Sequence, residues 1–126
     1  MKEINMYVKS SWKVLREDKL GAWITILEYR GITKILKGHA TNTTDKKMLY
    51  TGVINGIRTL KEPCKINVDS EASISLNGKS KGLKQTLIDE IIQNGHVCNF
   101  IAHYHNMEST FNRLLEEYYE ELNLLR

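Results

Sequence analysis

The sequence has little of what marks secreted, membrane-spanning or disordered proteins. It contains one proline, eight glycines and two cysteines in 126 residues. So little proline and glycine argues against a long flexible linker. The two cysteines lack metal-type spacing and predict reduced, buried thiols. No apolar run reaches the roughly 18 residues of a membrane span, and residues 1–10 are not a signal peptide. We therefore predict one cytoplasmic domain over residues 1–126, with no membrane association.

The charge is distributed unevenly along the chain. Residues 106–126 hold five acidic and two basic side chains, a net charge of −3, whereas the first 105 residues hold 16 basic and 10 acidic ones, a net charge of +6. A basic body with an acidic last helix is suited to presenting a positive face to a polyanion. The alternative, an ordinary solvated surface, fits the spread of lysines equally well.

Alternating polar and apolar residues predict three strands near the start of the chain, at residues 3–8, 22–29 and 32–38. Residues 16–19 lie in a polar connection before the second strand, and Arg30-Gly31 forms a tight turn before the third. The three segments predict an antiparallel meander.

Helical spacing of apolar residues predicts a helix over residues 44–60, with Thr44 as its N-cap and Pro63 beyond its end. Residues 70–76 are predicted to form one or two helical turns, and 77–82 a loop. The remaining predicted elements are a strand at 64–68, a helix at 83–93, a strand at 97–102 and a helix at 107–125. This order predicts a mixed sheet in which the later strands run parallel to the first.

Two segments resemble ribonuclease H in their residues. Asn42-Thr43-Thr44-Asp45-Lys46-Lys47-Met48 is similar to the start of that family's first helix, and Val68-Asp69-Ser70 matches the Asp-Ser pair that ends its fourth strand. The resemblance runs from about Ile4 to about Leu122. It implies an α/β, ribonuclease H-like fold: a five-stranded mixed sheet, made of a three-stranded antiparallel meander plus two parallel strands, flanked by helices.

The same resemblance implies that most metal-binding acids are lost. The family's four acid positions fall on Lys9, Leu49, Asp69 and Asn112, the last by aligning Leu114 with the family's buried leucine. The family's loop histidine falls on His103 or His105, and Glu116 is a second candidate for the last acid.

Ribonuclease H chemistry uses two Mg²⁺ ions held by clustered carboxylates. One aspartate does not hold two dications, and a nearby lysine would repel them. We therefore expect no metal cofactor, and we hypothesise that Lys9 and Asp69 form an ion pair in place of the metal site.

The leading functional hypothesis is a catalytically inactive ribonuclease H-like domain, a pseudoenzyme that binds nucleic acid through backbone contacts. The expected partner is an RNA/DNA hybrid or double-stranded RNA. The candidate contact residues are Lys9, Ser10, Lys46, Lys47, Lys79, Lys81 and Lys84.

Two alternatives remain open. One is a protein-interaction or inhibitor module of a mobile genetic element, which an exposed apolar patch around Tyr118, Tyr119 and Leu122 would favour. The other is a hybrid-cleaving endonuclease that binds Mg²⁺ at a rearranged site. Its candidate acids, besides Asp69, are Asp45, Glu71, Glu108 and Glu116.

Overall fold

The fold is a single five-stranded sheet with helices on both faces. The computed structural model describes residues 1–70, 74–78, 81–102 and 107–125. In chain order the elements are β1 (Lys2–Leu15), β2 (Asp18–Tyr29), β3 (Ile32–Thr41), α1 (Asp45–Arg58), β4 (Cys64–Ser70), α2 (Leu83–Gln93), β5 (Val97–Ala102) and α3 (Glu108–Leu125). The strands lie in the order β3-β2-β1-β4-β5.

The sheet topology confirms the predicted architecture. β1 and β3 pair antiparallel with β2, while β4 pairs parallel with both β1 and β5. Among the described residues, none of the helices combines the length and the apolarity needed to cross a bilayer. That residues 1–126 form one domain stays a prediction.

The first two strands are longer than predicted. β1 continues to Leu15 and β2 begins at Asp18. The polar connection was therefore predicted too long, because only a two-residue turn lies between the strands. Arg16 and Glu17 both have positive φ, 49° and 73°. That backbone suits the right-handed twist of a hairpin. The residues after Val8 pair with β2 and therefore extend the strand.

Helix α1 begins and packs as the sequence predicts. The Thr44 hydroxyl accepts a hydrogen bond from the Lys47 backbone N–H at 3.1 Å, which caps the helix. The helix ends at Arg58, two residues earlier than predicted. On the sheet side, the Thr25 hydroxyl donates to the Gly52 carbonyl at 2.8 Å. The buried cluster on this face includes Ile4, Met6, Val8, Leu49, Val53, Ile57, Ile66 and Val68.

Helix α3 covers the opposite face of the sheet. Its buried side chains are Phe111, Leu115, Tyr118, Tyr119 and Leu122, which pack with Leu20, Ala22, Ile24 and Ile26 of β2. Hydrogen bonds also hold it to the sheet: Tyr119 donates to the Ser11 hydroxyl at 3.1 Å, the Tyr118 hydroxyl lies 2.7 Å from His39 Nδ1, and Lys37 donates to Glu121 at 2.9 Å. The two faces of the sheet thus have separate apolar cores.

Helix α2 lies beside α1 and runs in a similar direction. An ion pair of 2.8 Å between Arg58 and Glu90 joins the two helices near their C-terminal ends. The N-terminal ends of α1 and α2 therefore lie at the same end of the molecule. In the connection before α2, residues 74–76 are not helical, contrary to prediction, and residues 71–73 lie outside the described part of the chain.

Candidate nucleic-acid interface

The retained aspartate lies on the α3 side of the sheet. Asp69 of β4 pairs with Tyr7 of β1 and is 8% exposed. Burial raises the pKa of Tyr7, and the carboxylates of Glu28 and Asp69 raise it further. Lys9 is two residues beyond Tyr7 on the same strand, so its side chain leaves the same face of the sheet. The register is compatible with the Lys9–Asp69 ion pair, which stays a prediction.

Leu49 lies inside the hydrocarbon core between α1 and the sheet. It is 3% exposed and belongs to the buried cluster that contains Val8 and Val68. The helix position at which the resemblance implies a metal-binding glutamate is therefore filled by a packed apolar side chain. A carboxylate placed there would lose its hydration without gaining a partner.

The last family acid position is on α3. Asn112 is exposed on this helix. Leu115 is buried, whereas Leu114, the residue used for the alignment, is only half-buried. Aligning the buried Leu115 instead would move the acid position to Arg113. Neither alignment supplies a carboxylate.

The described residues do not fit a two-metal site. They contain no group of three or more histidine, cysteine, aspartate or glutamate side chains placed to bind one metal ion. Glu116 is exposed and lines a surface pocket with Lys13 and Tyr119, and neither Asp69 nor Leu49 is among the described residues that line that pocket. The candidate residues Glu71, His103 and His105 lie outside the described part of the chain.

A basic groove lies at the N-terminal ends of α1 and α2. Its volume is ≈ 390 Å³, and its lining residues are Thr44, Lys46, Lys47, Tyr50, Lys81, Leu83 and Lys84. Four of the seven predicted contact residues are among them. Lysines 34 or more positions apart in sequence meet here because the two helices begin side by side.

The N-terminal end of α2 adds to the positive character of this groove, whereas α1 has Asp45 in its first turn. Thr44 satisfies one backbone N–H at the start of α1. At the start of α2, the N-cap residue is Gly82, which makes no side-chain hydrogen bond, and the first turn contains no acidic residue. Unpaired N–H groups and the helix dipole both favour an anion at such an end.

The groove lysines are available for an external anion. Within the described residues, Lys46, Lys47 and Lys81 form no ion pair, whereas Lys2 and Lys37 lie 2.8 Å and 2.9 Å from glutamate oxygens. Lys84 donates a hydrogen bond to the Asn77 carbonyl, which leaves its charge uncompensated. None of the described residues that line the groove carries a carboxylate.

Two other predicted contacts do not join this groove. Lys9 and Ser10 are half-buried on β1 and are not among its lining residues, and Lys79 lies outside the described residues. Tyr50 and Leu83 also line the groove, but they were not among the predicted contact residues. Both residues also belong to the core: Tyr50 is 6% exposed, and Leu83 packs against the buried cluster that contains Tyr50.

Comparisons with known proteins agree with the fold. The chain is similar to ribonuclease H of Caldicellulosiruptor saccharolyticus, with 38% identity over 77 residues, which are 61% of this chain and 52% of that protein. It is 34% identical over 83 residues to ribonuclease H of Campylobacter curvus, covering 66% of this chain and 54% of that protein. The chain spans about half the length of these curated relatives. No protein-family model matches it.

A solved structure shares the same architecture. It is a crystal structure of LC9-RNase H1, described as a type 1 RNase H with the type 2 active-site motif. The TM-score is 0.53 at 16% identity, with 79% of this chain and 61% of that chain covered. At this identity the likeness concerns the fold alone, while the curated relatives add likeness in sequence. The chain therefore has a ribonuclease H-like fold and, over about half the length of these relatives, a sequence similar to ribonuclease H.

Proposed function

We propose that the chain is a catalytically inactive ribonuclease H-like domain that binds an RNA-containing duplex through the basic groove. The observation that carries the proposal is the meeting of Lys46, Lys47, Lys81 and Lys84 at two helix N-termini, with no carboxylate among the lining residues that the structure describes. Lysines and helix N-termini are typical phosphate contacts. A cytoplasmic location belongs to the same proposal.

The preference for an RNA-containing duplex rests on the similarity to proteins named ribonuclease H. Double-helical RNA is bound mainly through its shape, its phosphates and its 2′-hydroxyl groups. Such contacts need correctly placed cations and donors but no catalytic metal. The described groove residues supply lysine cations, and none of these residues is acidic.

The absence of cleavage is inferred from the ligand positions. Leu49 is packed in the core, and Lys9 stands where the family has an acid. Asp69 alone provides at most one carboxylate for two Mg²⁺ ions, whose charges need several hard oxygen ligands.

Binding is tested by fluorescence anisotropy with a labelled RNA/DNA hybrid at two salt concentrations. We expect affinity to fall steeply with salt, because bound lysines displace counterions from phosphates. The double charge reversal Lys46→Glu/Lys81→Glu should weaken binding more than tenfold and make its salt dependence shallower.

The matched control is Lys34→Glu/Lys61→Glu, which makes the same charge change among exposed lysines near the C-terminal end of α1. It should bind within about twofold of the unmodified chain, apart from a general charge effect. Equal losses in the two double variants would mean that the groove is not the contact surface. No binding at low salt would end the proposal.

Catalysis is tested separately with an end-labelled hybrid and Mg²⁺ or Mn²⁺. The proposal expects no cleavage and no micromolar metal binding by calorimetry. Cleavage that Asp69→Asn abolishes would instead establish an endonuclease with a rearranged metal site.

The protein-interaction alternative loses its specific support. Tyr118, Tyr119 and Leu122 are buried against the sheet and do not form an exposed apolar patch. A stable dimer or heterodimer in solution would still be needed to favour that function.

A further inference from the structure

The β1–β2 hairpin, residues 10–23, is anchored on one of its two faces. On the α3 side, Ser11 accepts the hydrogen bond from Tyr119, and Lys13 Nζ lies 5.6 Å from the centre of the Tyr119 ring. Leu15 packs against the same apolar cluster. These contacts hold the hairpin as a rigid extension of the sheet.

The opposite face of the hairpin carries an exposed aromatic side chain. Trp12 and Val14 are 53% and 59% exposed. Lys19 Nζ lies 4.7 Å from the centre of a Trp12 ring. The cross-strand partner of Trp12 is Gly21, which has no side chain to cover the indole. Trp12 is therefore a half-exposed aromatic side chain with a cation over its ring.

This surface lies next to the basic groove. The side chains of Thr43 and Met48 approach Gly21 so closely that a Cβ there would be 2.3 Å from Thr43 Cγ2 and 2.8 Å from Met48 Cγ. The residues between them include Thr44, Lys46 and Lys47, which line the groove. Trp12 and the groove are thus linked through the start of α1, on the same face of the sheet.

We propose that Trp12 stacks on an unpaired nucleobase of a nucleic acid whose duplex part lies in the groove, with Lys19 near the adjoining phosphate. A nucleotide matches both features of the site, because it combines a flat π surface with a negative charge. Bases inside a duplex are already stacked, so the site selects a single-stranded extension or an unpaired end. The inference rests on the proposed function and specifies its ligand.

The test compares a blunt 12-base-pair RNA/DNA hybrid with the same hybrid carrying a four-nucleotide single-stranded extension. We expect the unmodified chain to bind the extended hybrid roughly tenfold more tightly, a gain within reach of base stacking on one aromatic side chain. Trp12→Phe should retain most of this gain. Trp12→Leu, apolar but not aromatic, should lose it without weakening binding of the blunt hybrid.

Two results would overturn the stacking proposal while leaving duplex binding intact. One is equal affinity of the unmodified chain for the two hybrids. The other is an undiminished preference in Trp12→Leu, which would indicate a general apolar contact. Circular dichroism checks that the variants are folded, and the exposure of Trp12 makes unfolding by these substitutions unexpected.

Tryptophan fluorescence separates the stacking proposal from the groove proposal. Trp23 is 6% exposed, so titration with a short oligouridine should quench mainly Trp12, and Trp12→Phe should abolish that quenching. Quenching without any duplex binding would support stacking and overturn the groove as a duplex site. If neither quenching nor duplex binding occurs, both proposals fail.

Discussion

The backbone N–H of Cys64 donates a hydrogen bond to His96 Nδ1 at 3.1 Å. Both residues are buried, and the bond joins the first residue of β4 to the connection between α2 and β5. Because Nδ1 accepts, the ring proton must be on Nε2. His96 is thus a structural acceptor in the fold.

Replacing His96 with leucine should destabilise the protein. Leucine fills the space but leaves the Cys64 N–H buried without its acceptor, a loss of about 1–3 kcal/mol in the free energy of unfolding. The measurement is urea denaturation followed by circular dichroism. His96→Asn is the control, since its amide oxygen offers an acceptor at a similar position, and it should lose less. A leucine variant as stable as the unmodified chain would contradict the assigned role.

The turn between β1 and β2 offers a stabilising change. Arg16 and Glu17 adopt positive φ, a backbone conformation that is sterically unfavourable for residues with a Cβ atom. Asn-Gly is the preferred pair for this two-residue turn. Arg16→Asn/Glu17→Gly should therefore raise the free energy of unfolding by about 1 kcal/mol, measured by thermal denaturation. Arg16→Ala/Glu17→Ala, which removes the same charges, should give no such gain.

Restoring an acid at position 49 should damage the core without creating a metal site. Leu49→Glu places a carboxylate in the cluster with Val8 and Val68, which should cost about 3 kcal/mol or more. Leu49→Met, of similar volume, should cost less than about 1.5 kcal/mol. Thermal unfolding with and without Mg²⁺ provides the measurement. A large stabilisation of Leu49→Glu by Mg²⁺ would refute the argument that the neighbouring residues do not fit a metal.

The cysteines should react slowly with thiol reagents. Burial raises the pKa of Cys98 to about 11, and burial also raises the pKa of Cys64. Only the thiolate reacts, so at pH 8 Cys98 of the folded chain should be alkylated about a hundredfold more slowly than in guanidinium, and Cys64 should also react more slowly. The rate should rise with pH as the thiolate population grows. Mass spectrometry after timed iodoacetamide treatment resolves the two sites, and fast labelling of folded Cys98 would contradict its burial.

The turn and the helix start that carry a local sequence signal were predicted correctly. The Arg30-Gly31 turn and the Thr44 cap are visible in the residues themselves, and both are confirmed. The second half of β1 has no such signal, because Arg16-Glu17 lacks the glycine or asparagine that usually marks a two-residue turn. The position of Trp12 depended on that missed extension.

The candidate site was predictable only in part for a different reason. The groove lysines could be named because the sequence places Lys46 and Lys47 at the start of a predicted helix and Lys81 and Lys84 in or next to a predicted loop. Their proximity depends on the packing of α1 beside α2, which periodicity does not determine. The side-by-side start of these helices also brings Tyr50 and Leu83 into the groove lining, which their spacing along the chain does not indicate.

The strand order has a consequence for synthesis on the ribosome. β1 is complete at residue 15, but its second partner, β4, ends only at residue 70. The meander is complete at Thr41, and synthesis of the 29 residues from there to the end of β4 takes roughly 1–6 s at about 5–20 residues per second, a time in which one edge of the central strand is unpaired. During that interval the three-stranded meander exposes a row of free backbone groups to any neighbouring chain. Correct folding of this protein thus requires β4 to pair with β1 before a strand of another chain does.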